Sequence, residues 1–260
     1  MIFVLGGDGF VGSALVRLLK HLKVEHEVIS RVNFASYAGR SCDILINANG
    51  NSRKFMADKD PSWEFDASVV SVVHALNTIR SGTYVHLSTG DVYPSQRVPE
   101  ETLEDHIPDV AKMSRYGLHK YVAETLVRGC HKNWLIFRMG GFVGPGLKKN
   151  AIFDMLNDAP VWLAPDSELQ FISTDTAARI IWSVVEGGTR NEIMNLGASG
   201  VVGIGEIHKQ IGSRSAFQVD APVIRFELST EKLRAIYGRE LPTTKMEVDA
   251  FLGAMSRTMR

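Results

Sequence analysis

The sequence predicts an α/β fold, a doubly wound parallel sheet with a small C-terminal lobe. Three observations carry that expectation. Short apolar runs of strand length alternate with stretches of helical periodicity over residues 2–137. A glycine-rich turn, Gly6-Gly7-Asp8-Gly9-Phe10-Val11-Gly12, joins the first run to the first helix. After residue 145 the alternation gives way to a loop-rich stretch punctuated by Gly144, Pro145, Gly146, Pro160 and Pro165.

The elements follow in order. Residues 2–5 read as a buried strand. Residues 10–22 place Val11, Ala14, Leu15, Leu18, Leu19 and Leu22 at helical spacing, with Arg17, Lys20 and His21 opposite. Strands are expected over 27–30 and 43–47, a helix over 61–80 and a strand over 83–87. A helix over 114–130 and a strand over 134–137 complete this half. Runs of this kind, buried on both faces, belong to parallel sheets covered by helices. Later, residues 176–186 return to helix, with Asp175 as N-cap and Gly187-Gly188 as the stop. A strand is expected over 192–196. Thr244 and Glu247 fit a capping box before a last helix. The basic run over 256–260 is expected to fray. The division expected is 1–160 plus 171–200 for the sheet domain, and 141–170 with 201–260 for the lobe.

Composition narrows the function classes. At 260 residues the chain can bury a full core without staples. Twenty-nine Lys and Arg balance 29 Asp and Glu, so there is no broad basic surface for nucleic acid, and 45% apolar content argues against disorder. Cys42 and Cys130 are too few for a disulfide framework. No CxxC, HxxxH or HExxH spacing occurs, so no metal site is expected. No apolar run reaches the ~18 residues of a membrane span, and the N-terminus lacks a basic n-region. A cytoplasmic protein with no membrane partner is the expectation.

Between a strand and a helix, the glycine turn is suited to a pyrophosphate. Gly6 allows the turn, Gly9 lets backbone N–H groups approach, and Gly12 lets helix pack on strand, with Phe10 opening the helix. About 20 residues on, where an acid would favour NAD, stand Ser30 and Arg31. Arg31 can make bidentate bonds to a 2′-phosphate and Ser30 can donate one, so NADP is the expected cofactor and NAD the other candidate.

Tyr116-Gly117-Leu118-His119-Lys120 is a YxxxK motif. On a helix the phenol and the ammonium share a face, and His119 points away from them. A lysine charge beside a tyrosine brings a phenol of pKa about 10 toward working range. Thr89 ends the preceding strand, at the sheet edge where doubly wound folds bind ligands. Its hydroxyl can bond a substrate oxygen.

The glycine spacing resembles the extended branch of the short-chain dehydrogenase/reductase superfamily, the NAD-dependent epimerase/dehydratase family, whose domain is a Rossmann fold. Further segments resemble it in order: Asn47-Ala48-Asn49-Gly50, then His86-Leu87-Ser88-Thr89-Gly90-Asp91-Val92-Tyr93-Pro94. After these come Arg138-Met139-Gly140-Gly141-Phe142-Val143-Gly144-Pro145-Gly146, the run Phe171 to Arg179, and Asn195-Leu196-Gly197. The resemblance implies catalytic roles for Thr89, Tyr116 and Lys120. It implies that Ala48, Asn49 and Gly50 pack at the nicotinamide end, where Lys120 and Tyr116 also meet the cofactor. Asp91 and Gly141 fall at substrate positions, and the lobe is a substrate lobe. The implied chemistry is hydride transfer between nicotinamide and a carbinol or carbonyl carbon of a sugar-like substrate, with a nucleotide sugar as one candidate. A homodimer paired through 62–80 and 114–130 is implied too. The rival expectation is a non-catalytic NADP-binding sensor or scaffold; a purely structural subunit would bind no cofactor.

The chain departs from the family pattern in several places. Only a dozen residues separate the second strand from Asp43, too few for the strand the family usually fits there. Gly141 replaces a frequent asparagine, and Leu169-Gln170 replace a frequent arginine on the nucleotide diphosphate. Arg53, Lys54, Lys148 and Lys149 are candidate substitutes, or simply solvated lysines and arginine. Gly90 replaces the dehydratase aspartate, which leaves epimerase or reductase chemistry, with Asp91 as a base or a turn cap. The four tryptophans are expected to pack in the core or the lobe.

Overall fold

The computed structural model describes residues 1–258; Met259 and Arg260, the end of the basic C-terminal run, lie outside them. The first unit is β1 (Ile2–Leu5), the glycine turn and α1 (Phe10–His21), which buries Ala14, Leu15 and Leu19 and ends on Lys20 and His21. Cations there suit the negative end of the helix dipole. β2 (His26–Ile29) follows, then β3 (Ser41–Asn47). Between these two lies only a 3-10 turn, Phe34–Tyr37, so the strand that the family usually fits there is absent. The next stretch holds α2 (Met56–Lys59), α3 (Pro61–Phe65), a π turn over Asp66–Val70 and α4 (Ser71–Thr78). The expected helix therefore stops two residues early, because Arg80 already pairs with Ser41 as β4 (Arg80–Thr89) begins. α5 (Arg115–Cys130) is capped by the Ser114 hydroxyl, and β5 (Trp134–Met139) returns to the sheet.

The second half comprises β6 (Gly141–Val143), α6 (Ala151–Leu156), β7 (Glu168–Leu169) and β8 (Phe171–Ser173). It continues with α7 (Thr174–Glu186), β9 (Glu192–Leu196), β10 (Val202–Gly203) and α8 (Ile204–Ile211). β11 (Arg225–Phe226), α9 (Glu231–Tyr237) and α10 (Thr244–Thr258) close the described chain. Asp175 is not the N-cap of α7. Ser173 is, accepting from the Thr176 amide, and Asp175 instead meets Arg17 of α1 at 2.6 Å.

Six parallel strands form the main sheet in the order β2-β1-β3-β4-β5-β9. Side chains of alternate strand residues enter two cores. Val4, Ile46, Val85 and Phe137 pack with α1 and α7; Phe3, Leu45, Tyr84 and Ile136 pack with α4 and α5. The direction of winding reverses between β1 and β3, so the crevice at their C-terminal ends is the topological switch point where such sheets bind ligands. A third apolar cluster, from Val143 through Phe171 to Leu252, gathers the short strands and the late helices. Of the tryptophans, Trp182 is buried in the first core, but Trp63 and Trp162 are exposed.

Candidate active site

Sterics explain the glycines at the switch point. A Cβ on Gly12 would lie 2.2 Å from the Gly6 carbonyl, and one on Gly6, at φ +78°, would lie 2.8 Å from the Asn49 amide. The turn therefore nests against the 48–49 loop at the end of β3. α1 begins beside it with no acid in its first turn, leaving its positive dipole end unneutralised. Gly9 precedes the helix without a side-chain cap, and the Phe10 ring stands edge-on to Phe142. This is a cradle that any side chain would fill, and it suits a pyrophosphate.

At the end of β2, the Ser30 amide donates to Asn33 at 2.7 Å and its hydroxyl also meets Asn33. Arg31 is exposed, and its guanidinium has no hydrogen bond or ion pair among the described residues. Ser30 is thus held within its own turn, while Arg31 stands ready for an anion.

Tyr116 and Lys120 both lie buried on one face of α5 and converge on consecutive backbone residues. The Tyr116 hydroxyl donates to the Asn51 carbonyl at 2.9 Å. The Lys120 ammonium lies so close to Gly50 that a Cβ there would be 3.3 Å from it. Thr89 caps the short turn after β4: its hydroxyl donates to Asp91 at 2.8 Å and accepts from the Asp91 amide. Asp91 is therefore not the capping side chain; it also takes an ion pair from Lys54 at 2.6 Å. Gly117 brings this turn against Tyr116, since a Cβ on it would strike the Asp91 carbonyl at 2.1 Å.

The electrostatics differ from the expected tuning. Burial pushes the Tyr116 phenol above its ordinary value, and the charges of Asp91 and Glu64 push the same way. Burial also lowers Lys120, against the opposing charges of Glu124 and Glu64. Beneath them His86, wholly buried with both ring nitrogens unpartnered, is held neutral by loss of water and by Lys120. Glu64 was invisible in the sequence as a site neighbour. It is fully buried on α3, where Ser68 and His119 bond its two oxygens.

Several motif residues are scaffold. Ser88 donates to Glu124 at 2.5 Å, Arg138 meets Glu124 at 2.8 Å, and the Arg138 guanidinium lies over the Tyr93 ring. Tyr93 in turn donates to Asn195 at 2.9 Å. This buried chain ties β4, α5, β5 and β9 together behind Thr89.

At the departures from the family pattern the neighbouring chain is packed close. A side chain on Gly141 would strike the Gln170 carbonyl and the Phe171 ring, so Gly141 can offer a substrate only its backbone. Gln170 is buried, donating to the Ala198 and Leu228 carbonyls. A Cβ on Gly90 would lie 2.8 Å from a Leu228 methyl and 3.0 Å from the Phe226 ring, so a side chain at the dehydratase position would have to displace both.

A model of the NAD dependent epimerase/dehydratase family matches residues 34–197, more than half of the chain. The chain belongs to that family. No curated protein sequence matches it. Among solved structures, a UDP-galactose 4-epimerase is 22% identical with a TM-score of 0.77, covering 100% of this chain and 99% of the other. UDP-glucuronic acid 4-epimerase from Bacillus cereus, solved with UDP-glucuronic acid and NAD, is 16% identical at 0.79, covering 99% of each. RMD from Pseudomonas aeruginosa, complexed with NADPH, is 19% identical at 0.77, covering 97% of each. At these identities the likeness is one of fold, and it extends the family fold over the whole chain, including the glycine turn that precedes the matched residues. No helix among the described residues is long and apolar enough to cross a membrane.

Proposed function

We propose that this member of the family is a cytoplasmic, NADP-using oxidoreductase or epimerase acting on a sugar-like substrate. The observation that carries the reading is the convergence of Tyr116 and Lys120 on the Gly50-Asn51 backbone beside the switch point, with the Thr89–Asp91 turn packed against the start of the same helix at Gly117. Gly6, Gly9 and Gly12 with the start of α1 would hold the pyrophosphate, and Arg31, with Ser30 beside it, the 2′-phosphate. Ala48, Asn49 and Gly50 would pack at the nicotinamide end, and Lys120 would bond the ribose. Bound there, a nicotinamide supplies or takes the hydride. Tyr116 holds the proton at its phenol oxygen and passes it to or from the substrate oxygen, once the Asn51 carbonyl releases it. Thr89 orients that oxygen. Gly90, which supplies no carboxylate in the dehydratase position, supports redox or epimerase chemistry over elimination.

Residues 141–170 and 201–260 serve in this reading as the substrate lobe, closing over Gly90 with Phe226 and Leu228. The UDP-sugars named in the related structures make a nucleotide sugar the first substrate to try. Exposed Trp63 and Phe65 beside α5 support a homodimer paired through 62–80 and 114–130.

The test is turnover: the chain with NADPH and a keto-sugar nucleotide, followed by nicotinamide absorbance, and with UDP-sugars, followed by NMR of the epimers. Binding of cofactor without either reaction would return the chain to the sensor or scaffold class. Cofactor choice is checked separately. Arg31→Asp should lower the NADP-over-NAD affinity ratio by about tenfold or more, the worth of a charge-assisted hydrogen bond. An unchanged ratio would remove Arg31 from the site.

A further inference from the structure

Three cations gather at the mouth of the proposed active site, on loops far apart in sequence. Arg53 and Lys54 lie two and three residues after Asn51, whose carbonyl holds the Tyr116 hydroxyl. Lys149 comes from the loop before α6, and its ammonium donates to the Ser52 carbonyl. Among the described residues one carboxylate answers them: Asp91, which pairs with Lys54 and is shared with the Thr89 hydroxyl. The Arg53 guanidinium makes no hydrogen bond or ion pair among the described residues, although its backbone is fixed by the Asn51 side chain on both sides. The whole chain carries no net charge, so this is a local excess.

Like charges drawn together without counter-charge cost energy unless an anion joins them. Lys149 registers that cost. Loss of water around its ammonium, then the charges of Lys54 and Arg53, bring it down to about 8. We propose that Arg53, Lys54 and Lys149 form a subsite for an anionic group of the substrate, a carboxylate or phosphate carried close to the reacting carbon. The subsite rests on the reading of Thr89 and Tyr116 as the reacting centre. The loop fixes its place: Lys54 is one carboxylate away from the Thr89 hydroxyl, and Asn51 of the same loop touches Tyr116. Gly141 and Gln170 themselves lack a free side-chain handle for an anion.

The experiment needs no turnover. Lysines of the intact protein are methylated with carbon-13 and followed by NMR against pH, alone and with inorganic phosphate, glucuronate or neutral glucose. Either anion should move the Lys149 midpoint upward from about 8, because an anion favours the charged ammonium. Glucose should not move it. A response to phosphate alone points to a phosphorylated substrate, and one to glucuronate points to a sugar acid; both support the subsite. In Arg53→Met, probe affinity should fall at least tenfold and Arg53→Lys should recover part of it, with NADPH binding unchanged in both. No response to either anion, an equal response to glucose, or full affinity in Arg53→Met overturns the proposal. Because NADPH binding and turnover are read separately, a failure here leaves the hydride-transfer reading standing, and a failure of that reading leaves the anion result interpretable.

Discussion

Tyr116→Phe should abolish turnover while leaving the fold and cofactor binding close to intact. The substitution removes one oxygen and keeps the ring that fills the site. Among the described residues the phenol oxygen bonds only the Asn51 carbonyl, so the stability cost is about 1 kcal/mol. The rate cost is far larger, because a positioned acid–base group contributes about a hundred- to ten-thousand-fold. Tyr116 is 7% exposed, so bulk water has little access to replace its hydroxyl. Single-turnover rates with saturating NADPH, read beside NADPH titration, separate chemistry from binding. A variant with ordinary turnover would remove Tyr116 from the reaction and, with it, the reading of the site.

The largest stability effect is expected at Glu124. In Glu124→Ala, Arg138 would be left 1% exposed with no counter-charge, although its guanidinium now meets both carboxylate oxygens. Breaking one side of a buried pair costs about 3–5 kcal/mol. Domains of this kind hold only about 5–15 kcal/mol in total. Ser88 loses its acceptor as well, one residue from Thr89. Thermal unfolding should show a Tm loss several times that of Tyr93→Phe, which removes a single bond to Asn195. Glu124→Gln, which keeps the shape and part of the bonding, should fall between them. A Glu124→Ala protein as stable as the parent would mean that Arg138 finds water or another partner.

What the sequence made legible was local. Strand runs, the helical spacing of α1, the turn glycines and the YxxxK pair all announce themselves within a few residues, because period and sterics act at that range. Even the absent strand after β2 could be read, since a dozen residues cannot form a turn, a strand and a return. The lobe was harder to read. β7, β10 and β11 are two residues each and owe their pairing to partners tens of residues away. The scaffold roles of Arg138 and Asn195 were hidden for the same reason: their motif resemblance suggests a site, while their partners come from α5 and from residues 102–104 and 229. Gly90 and Gly117 look like ordinary glycines until Leu228 and the Asp91 carbonyl are seen against them. Glu64 and the Arg53–Lys149 cluster carry no spacing signature at all.

The missing strand leaves β2 at the edge of the sheet, finished by Arg40 and Tyr37, which both bond Glu27. Beyond it the turn at Arg31 faces open water, with Val32 96% exposed. A choice between two dinucleotides made there depends on one solvated charge, without a wall to exclude ions. Mobile salt weakens such a charge: the screening length falls from about 30 Å at 0.01 M to about 8 Å at physiological ionic strength. Any preference for a 2′-phosphate set by Arg31 should therefore be a property of the medium as much as of the protein, wide in dilute buffer and narrowing as salt is added.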